Sequence, residues 1–193
     1  KEVTNDITIK SEIKNNAINT NISLLNHCMQ QARGNFSVTT LFSRQENEPL
    51  AIDIDMLPSK LLLNNVNWAM DKSHIHIENG IIAIDDFWAY TDDHSHGIMI
   101  DGKYSQRPVN DDILTAELKK IDLSYIFQTL AIDALQFGGL ASGELYVSTI
   151  EGKPYANTRL EVEDFQFNNT DLGNLNLYSE FNDETRLVKM DGN

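Results

Sequence analysis

The chain has 193 residues, a net charge of −14 and one cysteine, Cys28. Such an acidic chain repels phosphate backbones, so nucleic acid is not an expected partner, and anionic membrane surfaces are disfavoured for the same reason. A lone cysteine excludes an intrachain disulfide, no Cys/His zinc cluster is present, and no run approaches the roughly 20 apolar residues that span a bilayer. The chain opens at Lys1 in mid-pattern with no signal peptide; it is read as a piece of a longer protein whose membrane anchor and export signal lie upstream.

The dominant hydrophobic period is two, the signature of strands. Ile7, Ile9 and Ile13 alternate with polar residues in ITIKSEI, and Phe36, Val38 and Thr40 do so in NFSVTTLF. Between them, Asn21 to Arg33 fits either a strand or a short helix ending near Gly34. Ile52, Ile54 and Met56 alternate with Asp53 and Asp55; Val66, Trp68 and Met70 follow in VNWAM, then Ile75 and Ile77 in HIHIEN. The acidic DDFWAYTDD reads as loop-like, and Ile98 and Ile100 lead to Gly102. Arg107-Pro108 to Asp112 reads as a loop and is the one candidate sub-boundary in an otherwise single β-rich segment, 1–193. Asp122 to Leu130 predicts a helix: Asp122 suits an N-cap, and Leu123, Ile126, Phe127 and Leu130 share one face. Gly138-Gly139 restarts the strands, with Leu145/Val147, Leu160/Val162, Phe165/Phe167 and Leu175/Leu177 in alternation.

Asn79-Gly80, Asp101-Gly102, Glu151-Gly152 and Asp191-Gly192 are read as turns, because glycine takes positive φ without steric cost. Short strands joined by such turns predict an all-β fold with a meandering antiparallel sheet. A dozen strands at about 4.8 Å each span about 55–60 Å, and an open sheet of that length must curl to cover its apolar face. The same alternation also fits a β-sandwich, which is the alternative architecture.

Side chains with chemistry are few. On a strand, His74/His76 and His94/His96 each point one way and are candidate metal chelators. The reading adopted is exposed polar residues, with no metal and no cofactor expected. The pairs Asp53/Asp55, Asp85/Asp86, Asp111/Asp112 and Glu161/Glu163 read as outer-face carboxylates rather than the two acids of a glycosidase. Ser142 does not fit a nucleophile elbow, and Cys28 has the apolar neighbours of an inert buried thiol. No catalytic residue is assigned and an enzyme is not expected. Trp88 and Tyr90 are candidates for a sugar-stacking platform, with Trp68 placed in the core; on this basis the alternative function is a β-sandwich carbohydrate- or protein-binding module.

Two stretches resemble the TamB/AsmA-like family in its Bacteroidetes-type form. From Leu61 to Ser105 the order is a short apolar strand, a Trp strand (Trp68), an Ile-x-Ile strand (Ile75, Ile77), a strand with Phe87, and an apolar strand with Ile98, Ile100, Gly102 and Ser105. From Ile121 to Gly192 it is a short helix, a Gly-rich strand (Gly139, Ser142, Gly143), a Leu-x-Val strand, a turn with Pro154, an Asn-rich turn with Leu-Gly, and Leu-x-Leu. The Pro154 stretch departs from the family in carrying Glu-Gly-Lys, and DDFWAY is more acidic than usual. Residues 1–57 match no motif of the family.

The resemblance implies a long U-shaped, taco-like β-sheet with an apolar inner surface, in the periplasm of a Gram-negative bacterium and anchored in the inner membrane. It implies a role in phospholipid transport between the membranes or in outer-membrane protein assembly, with phospholipid acyl chains and an outer-membrane β-barrel assembly protein as partners. The groove candidates are Phe36, Val38, Ile52, Ile54, Met56, Val66, Trp68, Met70, Ile75, Ile77, Ile98, Ile100, Leu145, Val147, Leu160, Val162, Leu175 and Leu177.

Overall fold

A computed structural model of the chain describes residues 5–26, 32–46, 48–63, 66–105, 112–124, 136–150, 153–182 and 187–192. Among these it forms strands Asn5–Lys14 (β1), Ala17–Asn26 (β2), Ala32–Ser43 (β3), Ala51–Met56 (β4), Ser59–Leu63 (β5), Val66–Met70 (β6) and Ser73–Glu78 (β7). The second group is Ile81–Thr91 (β8), Gly97–Ser105 (β9), Leu114–Asp122 (β10), Phe137–Ile150 (β11), Lys153–Phe167 (β12), Thr170–Asn182 (β13) and Leu187–Gly192 (β14).

All of them join one antiparallel sheet in the order β1-β2-β3-β4-β7-β8-β9-β10-β11-β12-β13-β14, with β5 and β6 inserted beside β4 and β7. The C-terminal half of β3 pairs with β4 and its N-terminal half with β5. The division falls at Leu57-Pro58, because proline has no N–H for the ladder, while the Leu57 N–H still donates to the Ser37 carbonyl at 3.0 Å. The architecture is therefore a single curved sheet, not the two packed sheets of a sandwich.

Three hairpins turn on two residues of positive φ: Asn15-Asn16, Asn79-Gly80 and Asn168-Asn169. Paired positive φ is the type I′ signature, and its twist matches that of the flanking strands. Other expected breaks fall inside strands. Asp101-Gly102 lies within β9, where Gly102 pairs with Ile84 on one side and Leu114 on the other. Asp191-Gly192 closes β14, Pro154 is in β12 opposite Thr149, and the acidic run read as loop-like supplies most of β8. Glu151-Gly152 and most of the 107–112 boundary lie outside the described residues, although the strands flanking that boundary, β9 and β10, pair with each other.

The expected helix also falls outside them after Ser124. The Asp122 carboxylate accepts the Ser124 N–H at 2.9 Å, and no helix is among the described elements. The ambiguous 21–33 segment is strand at both ends, and residues 27–31, with Cys28, lie outside the described residues.

β-bulges bend the sheet, and three of them share one form. The register shifts between Ile84 and Phe87, between Leu118 and Ile121, and between Val162 and Phe165. Asp86, Lys120 and Asp164 take positive φ at these points. Each bulge adds one residue and increases the local coil of the strand. It also returns the following apolar residue to the face held by the preceding one, which a regular strand would not do at a spacing of three. Ser142 serves one of these bulges: its hydroxyl accepts the Lys120 N–H at 3.0 Å. Beyond the start of β10, the Thr149 hydroxyl donates to the Ser105 carbonyl, so β9 and β11 close over its end.

Candidate functional site

In an antiparallel sheet, directly opposed residues lie on the same face, so the register assigns each side chain to one side. One ladder runs Phe42, Ile52, Ile77, Ile82 and Tyr104. The next runs Thr40, Ile54, Ile75, Ile84, Gly102, Leu114 and Val147. A third runs Met70, Ala89, Ile98, Leu118, Gly143, Leu160 and Leu177. Carried over the whole order, the register puts all eighteen groove candidates on one face. Trp68 belongs to it, opposite Leu61 and Thr91.

The alternate positions form a polar face. On β2 and β3, the Ser37, Thr39 and Ser23 hydroxyls donate to the side-chain carbonyls of Asn21, Asn19 and Asn35 at 2.6–2.9 Å. Isolated apolar residues such as Leu41 and Met99 interrupt it.

The apolar face is not sealed. Of the eighteen candidates, Met70 and Val162 are buried, Val66 is 43% exposed, and the other fifteen are half-buried. The accessible surface is 13252 Å², about 4,000 Å² more than the roughly 9,300 Å² expected of a compact 21.8 kDa monomer. Among the described residues, a closed core forms where Leu118, Ala141 and Val162 meet, with Ile98, Ile121, Leu123, Leu145, Leu160, Phe165 and Leu175 around them. Toward β1 the same face opens, and Ile9 and Ile13 are 64% and 77% exposed.

Three buried hydroxyls on this face are already committed. Ser59, Ser73 and Ser179 donate to the carbonyls of Leu57, Asp85 and Ala156. Among the described residues no buried side-chain polar atom lacks a hydrogen-bond partner.

On the polar face, β4 and β7 bring Asp53, Asp55, His74, His76 and Glu78 together. The register places Asp53 opposite His76 and Asp55 opposite His74. Asp53 Oδ1 is 2.7 Å from His76 Nδ1 and 3.4 Å from His74 Nε2. The hydrogen bond to Asp53 raises the His76 pKa above its ordinary 6.5; desolvation opposes it as the next largest effect, and the charges of Asp53 and Glu78 add to the rise.

An NMR titration is expected to give His76 a midpoint above 6.5, and Asp53→Asn is expected to lower it; an unmoved midpoint in that variant removes Asp53 as the cause. A raised folded-state pKa means the pair stabilises the fold fully below the unfolded pKa and loses that contribution as pH rises through the folded one. The contribution is small, because both groups are partly solvated.

The second pair does not converge. His94 and His96 sit in the β8–β9 turn, where His94 has positive φ and the rule for alternate strand residues fails. The His94 ring stacks on Tyr90 at 4.5 Å, and His96 Nδ1 bonds the Ser95 hydroxyl at 2.7 Å.

Trp88 and Tyr90 are on the polar face, with centroids 4.5 Å apart and Trp88 40% exposed. Tyr90 donates its hydroxyl to Asp71 at 3.1 Å. Beside this aromatic row, Glu117 and Lys119 open a shallow trough of about 810 Å³ that continues to Glu144, Arg159 and Tyr178. Asp53/Asp55 and Glu161 are on the same polar face, spread over separate strands, and Asp111 lies outside the described residues.

Compared with known proteins, the chain matches no family model, no curated protein and no solved structure.

Proposed function

We propose that this chain is a non-enzymatic stretch of a TamB-like envelope protein whose apolar sheet face carries phospholipid acyl chains across the periplasm. In that setting it is a segment of an inner-membrane-anchored protein and works with an outer-membrane β-barrel assembly protein in building the outer membrane. The observation that supports the reading is the gathering of all eighteen apolar candidates on one face of a single sheet, where most keep part of their surface in water.

The physics suits a hydrocarbon ligand. Backbone polar groups are paired within the sheet and the buried Ser59, Ser73 and Ser179 hydroxyls are turned to carbonyls, so a tail meets no unsatisfied donor from them. Each shielded methylene contributes roughly 0.8 kcal/mol, so a tail of about 16 carbons gains about 10 kcal/mol even with incomplete coverage.

Photo-crosslinkers at Ile54, Ile100 and Val147 are expected to label phospholipid in envelope extracts, and those at the polar-face neighbours Asp55, Asp101 and Ser148 are not. Native mass spectrometry of the purified chain is expected to show co-purified phospholipid. Equal labelling from both faces, or none from the apolar one, would sink the reading.

The exposed aromatic row beside the trough of Glu117, Lys119, Glu144 and Arg159 favours a second reading, a carbohydrate-binding surface. Glycan binding lost on Trp88→Ala, with no lipid captured, is the result that selects it.

A further inference from the structure

We propose that Asp53, His74 and His76 form a binding site for a zinc-class divalent transition ion on the polar face, separate from the apolar surface and independent of its function. One ligand atom from each lies within 4.8 Å of the others. Ligands about 2.0–2.1 Å from a tetrahedral zinc ion are about 3.3 Å apart. Asp53 Oδ1 is already 3.4 Å from His74 Nε2 and 2.7 Å from His76 Nδ1, so small side-chain rotations admit the ion in place of the bridging proton.

The surroundings of the two imidazoles carry the argument further. A metal-binding histidine uses one ring nitrogen for the ion and directs the other to an acceptor, which fixes its tautomer and raises its basicity. His74 offers Nε2 toward Asp53, and its Nδ1 is 3.1 Å from Asp55 Oδ1. His76 offers Nδ1, and its Nε2 is 3.7 Å from Glu78 Oε2. The nitrogen the ion does not use is therefore hydrogen-bonded to a carboxylate in His74 and lies within ion-pair distance of one in His76.

The ligands stand on two hydrogen-bonded strands with regular register, so little backbone reorganisation is needed. Their side chains are partly exposed, 26% for Asp53 and 36% for each histidine, which leaves an entry path and room for water as a fourth ligand. Two imidazoles with one carboxylate suit Zn²⁺ and its neighbours in the transition series better than the all-oxygen preferences of Ca²⁺ or Mg²⁺.

His94 and His96 supply an internal control. They have the same spacing, but their rings are engaged by Tyr90 and Ser95, and the nearby Asp93 carboxylate is occupied by Thr91 and Ser95.

Titration of the full chain with zinc chloride, followed by calorimetry in a non-chelating buffer, is expected to show one ion per chain. Asp53→Asn, His74→Asn and His76→Asn should each weaken binding about tenfold or more, and Asp55→Asn about tenfold through the orientation of His74. Circular dichroism of each variant is expected to match the parent, because the four residues lie at the surface. Imidazole ¹⁵N shifts should report zinc on Nε2 of His74 and Nδ1 of His76, and a His94→Asn/His96→Asn variant should bind as the parent does. Absence of saturable binding in the millimolar range overturns the proposal, as does affinity that survives His74→Asn/His76→Asn or is lost with the His94/His96 pair.

Discussion

Gly143→Val is expected to separate β11 from β12 and to lower stability by about 3 kcal/mol or more, as a compound backbone and packing defect. Gly143 has φ +135° and stands opposite Leu160 in the middle of the longest strand pair. A Cβ there would be driven into the Arg159 carbonyl oxygen, a backbone atom held by its own ladder, and no rotamer relieves that clash. Gly80→Ala separates the two costs. Gly80 also has positive φ, at +78°, but nothing lies within 4 Å of its would-be Cβ, so only the dihedral penalty of about 1–2 kcal/mol remains. Urea unfolding followed by circular dichroism, with amide exchange along β11 and β12, measures both. Equal losses in the two variants would mean that the Arg159 carbonyl yields and that the close approach does not constrain this part of the sheet.

Val162→Asp is expected to cost about 3 kcal/mol, through a carboxylate placed where no partner or water reaches it. Val162 is 3% exposed beside the fully buried Ala141 and faces Leu175. Ile9→Asp introduces the same charge on the same apolar face, yet Ile9 is 64% exposed; its cost should stay within about 0.5 kcal/mol. The contrast tests the division of the face into a closed region under β10 to β12 and an open one toward β1. Similar losses at both positions would show that the face is covered along its whole length in solution.

The facing of these side chains was legible in the sequence, because strand periodicity is local: Ile52, Ile54 and Met56 declare their common side whatever they pair with. The bulges were harder to see. Ile84/Phe87, Leu118/Ile121 and Val162/Phe165 are apolar at a spacing of three, which breaks the alternation; Asp86, Lys120 and Asp164 restore it by taking positive φ. Read that way, the spacing itself is a bulge signal. Asp101-Gly102 was misjudged for a related reason, since a positive-φ glycine serves a kink inside a strand as readily as a reversal between strands. Asn15-Asn16 makes a type I′ turn without the usual glycine. The Asp53/His74/His76 cluster could not be found from the His-x-His pattern alone, because its carboxylate comes from β4, and only the register of β4 on β7 sets Asp53 opposite His76.

The order of the sheet also governs how the molecule comes apart. Each strand's principal contacts are with strands a hairpin or two away in the chain, and no extensive contact among the described residues joins the first strands to the last. Such a ribbon behaves as a one-dimensional array, with cooperativity set by neighbour-to-neighbour coupling rather than by one shared nucleus. Assembly then proceeds by local zippering at low contact order. Loss of order advances hairpin by hairpin from whichever end is less tightly coupled, while the Leu118–Ala141–Val162 region holds longest.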